Sequence, residues 1–182
     1  RGEEDDRADV RFPGTPKNER LRTFLKDVTP NEKVLVWAVW RENYDQIRKI
    51  CEELGLEYAE AHGGIADKKK LENVQRFKAR DKCRVFLGHP GSGGVGLNLT
   101  MGTQSVFYSR NYSTLHFVQA RGRNHRAGQT RPVTHNNLVC KGTIDEVVLA
   151  QLAENLAVAE SLLDPSKRNL SYKDVAMGLA LG

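Results

Sequence analysis

Six consecutive apolar residues, Val34-Leu35-Val36-Trp37-Ala38-Val39, constrain the fold of this chain more than any other feature. A run with no polar alternation suits a strand covered on both faces. Directly after it, Tyr44, Ile47, Ile50 and Leu54 recur at helical spacing, and Gly55 supplies a stop. The cadence then repeats. A short strand over residues 57–61 leads into His62-Gly63-Gly64, and a helix follows with Leu71, Val74 and Phe77 on one face. Residues 84–87 form another apolar strand, and strands over 105–108 and 133–139 bracket a helix over 114–125, with Gly128 beyond its end. Strand alternating with helix demands crossovers between parallel strands. The expected fold is therefore α/β, with a mostly parallel sheet of about five or more strands.

The flanks complete the organisation. Residues 1–14 are charged, end in Phe12-Pro13-Gly14, and read as a linker. Thr15 followed by Pro16 reads as the N-cap and first position of a helix running to about Lys26. Thr143 and Glu146 spell a T-x-x-E capping box that opens a long amphipathic helix to about Leu163, ended by Asp164-Pro165. Residues 171–174 look like the cap of a last short helix, so the expected division is a domain over 15–163 and a C-terminal helical extension over 164–182. Asp145-Glu146 also resembles a metal-binding acidic pair, but such an acid ends a buried strand, and these residues start a helix. The capping reading is preferred.

A chain of 182 residues with 39% hydrophobic residues can build one domain around one core. No apolar run reaches membrane-spanning length, and no signal-peptide pattern opens the sequence, so no membrane is expected as a partner. Cys51, Cys83 and Cys140 are odd in number and never form C-x-x-C, and the five histidines have no ligand-like spacing. Free thiols in a reducing compartment and no structural metal are expected. The sequence starts at Arg1 without a Met, the pattern of a segment from a longer polypeptide.

Charge is segregated along the chain. From Lys82 to Ile144 there is no Asp or Glu, and eight Lys and Arg give that stretch +8, although the whole chain is only +5. A field of one sign attracts phosphates. Within it, Gln119, Arg123 and Arg126 stand four and three residues apart, which on a helix places them on one face. Adjacent guanidiniums repel unless an anion faces them, and a polyphosphate matches their planar forks. The run Gly91-Ser92-Gly93-Gly94-Val95-Gly96 fits G-x-G-x-x-G literally. A dinucleotide site needs the first strand before it and a ribose-binding acid about twenty residues later. Two strand–helix units precede these glycines and the next carboxylate is Asp145, so that reading fails. There is no G-x-x-x-x-G-K-[ST] loop either. Lys68-Lys69-Lys70 reads as a solvated helix face, and Trp37 and Trp40 as core and rim residues.

The order 34–41, 62–77, 88–100, 119–129 and Gly142-Thr143-Ile144-Asp145-Glu146 resembles the C-terminal RecA-like lobe of Swi/Snf-type superfamily 2 ATPases, over roughly residues 15–152. The resemblance implies a RecA-like three-layer sandwich and a motor of two lobes, with ATP and Mg2+ held mainly by an N-terminal RecA-like lobe and double-stranded DNA bound across both. It implies that Arg123 and Arg126 are arginine fingers, that Gln119, Gly94 and Gly96 contact ATP, and that Gly63, Gly64, Ser92, Gly93, Asn98 and Tyr112 lie at the DNA. It further implies that this chain alone does not hydrolyse ATP, and that the protein works in bacterial or phage-infected cytoplasm, or in a eukaryotic nucleus. His89-Pro90-Gly91-Ser92 departs from the family's Ser-Thr-x-Ala, 111–114 departs from Asp-Trp-Asn-Pro, and Gly122 replaces a usual Asp. Trp37 and His89-Pro90 look like phage or mobile-element members. The alternative function is a stand-alone basic nucleic-acid-binding module with no ATP role.

Overall fold

The structure is a computed structural model and describes residues 15–27, 32–92 and 97–163. The expected linker, the C-terminal extension, and Gly93, Gly94 and Gly96 lie outside these described residues. In chain order the elements are α1 (Pro16–Asp27), β1 (Val34–Trp37), α2 (Arg41–Glu53), β2 (Glu57–Ala61), α3 (Asp67–Ala79), β3 (Cys83–Gly88), β4 (Gln104–Phe107), α4 (Thr114–Arg121), β5 (Thr134–Asn137) and α5 (Ile144–Leu163). The strands form one sheet in the order β2-β3-β1-β4-β5, with every pairing parallel. The α/β expectation, with its five parallel strands, holds.

The topology decides which helix covers which face. From β1 the chain moves across the sheet to β2, then returns stepwise through β3, β4 and β5. Right-handed crossovers therefore put α2 on one face and the later connections on the other. The core divides accordingly. Leu21 and Leu25 of α1 and Ile47 and Ile50 of α2 pack with Val34, Val36, Val85, Leu87 and Val106. On the opposite face, Val74 and Phe77 of α3, Phe117 of α4 and Leu152 of α5 pack with Leu35, Trp37, Phe86 and Phe107. Alternate residues of β1 thus serve opposite layers, which is why its sequence is apolar throughout.

Trp37 is buried and its indole Nε1–H donates to Ser105 Oγ at 2.8 Å, satisfying the one polar atom it carries into the core. Trp40 stands at the N-cap of α2 and is 58% exposed. The core-and-rim reading of the two tryptophans is correct.

Three expectations need correction. Leu71 is 50% exposed, because α3 turns Asn73, Val74 and Phe77 inward and Asn73 donates to the Glu60 carbonyl of β2. The helix expected over 114–125 ends at Arg121, with Gly122 as its C-cap. The capping box is shifted by a residue on both arms: Glu146 accepts from the Gly142 N–H at 2.9 Å, and Thr143 Oγ1 accepts from Asp145 N–H at 3.3 Å. Its function at the start of α5 survives, and Asp145 also accepts from the Cys140 N–H and pairs with Lys17 at 2.6 Å. Burial opposes the charge of Asp145, but Lys17 and the Cys140 N–H outweigh it and hold the carboxyl below its usual range. These residues cap and brace a helix.

Candidate nucleotide and nucleic-acid faces

The early end of α4 follows from bonds it makes elsewhere. Asn124, fully buried, donates to the Gly102 carbonyl at 3.1 Å, and the Arg123 carbonyl accepts from Leu99 N–H at 3.0 Å. Gln129 Nε2 donates to the carbonyls of Thr100 and Asn124. The Arg123 carbonyl is thus taken by Leu99 instead of a following helical N–H, and the two side-chain amides dock the segment on residues 99–102. Gln119, at the end of α4, and Arg123 and Arg126, past it, therefore do not share one helical face.

Arg123 is 8% exposed, whereas Arg126 is exposed. Of the two expected arginine fingers, only Arg126 is open to solvent. Burial lowers the Arg123 pKa, and the positive charge of Arg126 lowers it further. Among the described residues neither guanidinium has an ion-pair partner. Gln119 is half-buried one turn before Arg123. The docking strip 99–102 leads into β4, and a Cβ on Gly102 would meet Leu35 of β1 at 2.9 Å. The arginines accordingly sit toward the amino ends of the strands.

The other candidate residues gather at the carboxyl ends. Gly63 and Gly64 follow β2 and are exposed, and a Cβ on Gly63 would meet nothing within 4 Å. The preceding His62 stacks on Tyr44 with ring centroids 4.3 Å apart, and its Nδ1 accepts from Gly64 N–H at 3.3 Å. Burial lowers the His62 pKa, with Glu60 opposing it and Arg48 adding to it. Glu60 and Arg48 flank it as an ion pair at 2.6 Å. Sequence reading missed this support because His62 looked like an isolated histidine.

Ser92 follows β3, and its hydroxyl donates to the Ala61 carbonyl at 3.2 Å, joining the loops after β3 and β2. Tyr112, beyond β4, is 51% exposed. Asn98 is exposed on the returning strip, where its Oδ1 accepts from the backbone and hydroxyl of Thr100. The structure thus brings Gly63, Gly64, Ser92 and Tyr112 to one edge, puts Arg123 and Arg126 toward the other, and leaves Asn98 between them. Besides Arg123, one more of the eight positive charges is internal: Arg110 is buried and donates to Asn137 Oδ1 and the Leu138 carbonyl. Burial drops its pKa to about 10 against the raising influence of Asp145.

Comparisons with known proteins agree with this architecture. A family model described as the helicase conserved C-terminal domain matches residues 16–128. The ATP-dependent helicase fft1 of Schizosaccharomyces pombe is 29% identical over 152 residues, covering 84% of this chain and 16% of that protein. Chromatin-remodeling ATPase INO80 of Mus musculus is 29% identical over 143 residues, covering 79% of this chain and 9% of its own. DNA repair and recombination protein RDH54 of Saccharomyces cerevisiae is 32% identical over 152 residues, covering 82% and 16%. The chain thus spans 16% or less of the length of these curated relatives. A solved structure of the C-terminal part of the Fun30 ATPase domain superposes with a TM-score of 0.68 at 23% identity, covering 72% of this chain and 43% of that one, a likeness of fold. These relatives give no support to the phage or mobile-element affinity.

Proposed function

The chain belongs to the helicase conserved C-terminal domain family, as the C-terminal RecA-like lobe of a Swi/Snf-type ATPase, and from that premise we propose that it is the second motor lobe of an ATP-dependent DNA translocase. The observation that carries the reading is the Arg123–Arg126 pair. Two guanidiniums three residues apart, with no ion-pair partner among the described residues, suit an anionic ligand. A triphosphate held by an N-terminal lobe supplies one. As charge develops on the transferred phosphoryl group, Arg126 stabilises it from solvent-facing reach and Arg123 from a rigid, partly desolvated position. Gln119 is assigned to the nucleotide as well, and the family resemblance gives the same role to Gly94 and Gly96, which lie outside the described residues.

The DNA backbone runs along the carboxyl edge, against Gly63, Gly64, Ser92, Gly93 and Tyr112. The open space beside Gly63 allows a phosphate to approach the main chain. Asn98 lies on the strip that connects the two edges. On this reading Mg2+ is held, with the triphosphate, mainly by the N-terminal lobe. Relatives named as chromatin-remodeling ATPases make the nucleus the proposed place of work.

The test is Arg126→Ala in the full-length protein. Saturated, DNA-stimulated ATP turnover should drop by about 10³-fold or more while DNA affinity stays within a few-fold. Turnover unchanged beside weakened, less salt-sensitive DNA binding would instead establish the basic nucleic-acid-binding module and end the motor reading.

A further inference from the structure

Three large apolar side chains stand open beyond the carboxyl ends of β1 and β4. Trp40 follows β1, Tyr112 follows β4 and Ile144 opens α5, and each is more than half exposed. They line one cleft of about 960 Å³, together with Thr15 at the head of α1. Large apolar side chains exposed around one cleft mark a surface that something covers. The arginine pair lies toward the opposite edge of the sheet, and the proposed DNA surface shares only Tyr112 with this cleft.

The chain itself carries a segment suited to that place. Thr15 is the first described residue and forms part of the cleft wall, where its hydroxyl lies 3.5 Å from Tyr108 Oη. Residues 1–14 are therefore tethered at the cleft. Val10 and Phe12 are the large apolar residues among them, and at a spacing of two they share one side of an extended segment. Phe12 stands three residues before Thr15, about 10 Å of extended chain, comparable with the breadth of a cleft of this volume. A tether this short gives an effective concentration in the millimolar range, so a weak contact suffices. Charge agrees. Around the cleft Lys17 pairs with Asp145 and Asp45 with Arg48, which leaves Arg41 and Lys49 offset at the rim only by Glu42. Residues 1–14 carry five acids against three arginines, and four of the acids form the run Glu3-Glu4-Asp5-Asp6. An apolar cleft with a basic rim thus has, tied to its wall, a segment that is apolar near the tether and acidic farther out.

We infer that residues 1–14 dock in this cleft, with Val10 and Phe12 covering Trp40, Tyr112 and Ile144 and the acidic run set against Arg41 and Lys49. The chain has two tryptophans; Trp37 is buried in the core and Trp40 lines the cleft, so acrylamide quenching of the emission reads the cover over Trp40. In the 182-residue chain, Phe12→Ala should shift the emission to longer wavelength and raise acrylamide quenching, with an unchanged circular-dichroism spectrum. Neutralising the acidic run (E3Q, E4Q, D5N and D6N) should move both readouts in the same direction. In a Trp40→Phe background, where Trp37 alone emits, Phe12→Ala should change neither. The inference is overturned if Phe12→Ala or the neutralised run leaves the quenching as it is in the parent, or if the change persists in the Trp40→Phe background. Quenching that falls as protein concentration rises would assign the cover to a second copy of the chain and overturn it as well. None of these readouts involves ATP or DNA, so none bears on the turnover loss expected of Arg126→Ala.

Discussion

A methyl group on Gly88 would stand 2.7 Å from Cζ3 of Trp37, its register partner across β1 and β3. Trp37 is locked by burial and by its bond to Ser105, so it cannot step aside. Gly88→Ala should therefore destabilise the fold by about 1–3 kcal/mol, read as a lower urea midpoint with an unchanged m-value. A second residue-scale consequence concerns acid. His135 on β5 is buried, and desolvation, with Arg121 and His125 adding to it, lowers its pKa from 6.5 to about 4. Between those values the unfolded chain binds a proton that the folded chain refuses, so stability falls as pH drops through the window. The loss from this group approaches about 3 kcal/mol at the lower end. Denaturant titrations of His135→Gln should show a visibly flatter acid limb than the parent, and an unchanged limb would remove His135 as the cause. Residue types were enough to single out the arginine pair, whereas the burial of Arg123 was not readable, because it depends on a docking strip remote in sequence.

At the scale of elements, apolar runs and helical spacing located β1, α2, α3 and β3, since such patterns follow from which faces are covered, while cap residues at Thr15 and Thr143 marked the starts of α1 and α5. Patterning failed where tertiary bonds compete with local ones. The end of α4 is the main case: Gly122 permits the exit, but Asn124 and Gln129, donating to carbonyls of residues 99–102 and 124, hold the segment off the helix axis. Leu71 fails for a related reason, since the bond from Asn73 to β2 fixes the rotation of α3. The α4 exit carries a prediction. Asn124→Ala leaves the Gly102 carbonyl without its side-chain donor in a buried place, at a cost of about 1–3 kcal/mol. Because the same turn positions Arg123, full-length protein with this change should lose turnover at saturating ATP and retain its DNA affinity. Loss of stability with turnover intact would confine Asn124 to a packing role.

Across the whole molecule, the sheet separates two chemistries. The open glycine turn after β2 and exposed Tyr112 occupy its carboxyl edge, and the arginine pair lies toward its amino edge. Residues 97–103 run between them, with Leu97 and Leu99 buried in the core, so displacement at one end is resisted by packing along the whole strip. On the proposed reading, nucleotide state is sensed at one end and DNA is gripped at the other, through a connection too well packed to bend independently. That division makes separate predictions for this chain alone. Its sequence has no phosphate-binding G-x-x-x-x-G-K-[ST] loop, and its arginines can only stabilise charge on a nucleotide positioned by something else. Magnesium-dependent ATP hydrolysis by the 182-residue chain should therefore match a protein-free blank. Weak duplex binding should nevertheless persist through the carboxyl edge. If two to four phosphates are contacted, affinity should fall roughly ten- to hundredfold between about 50 and 200 mM salt. Measurable turnover would show a complete catalytic site within these residues, and salt-independent or absent DNA binding would show that the grip resides elsewhere.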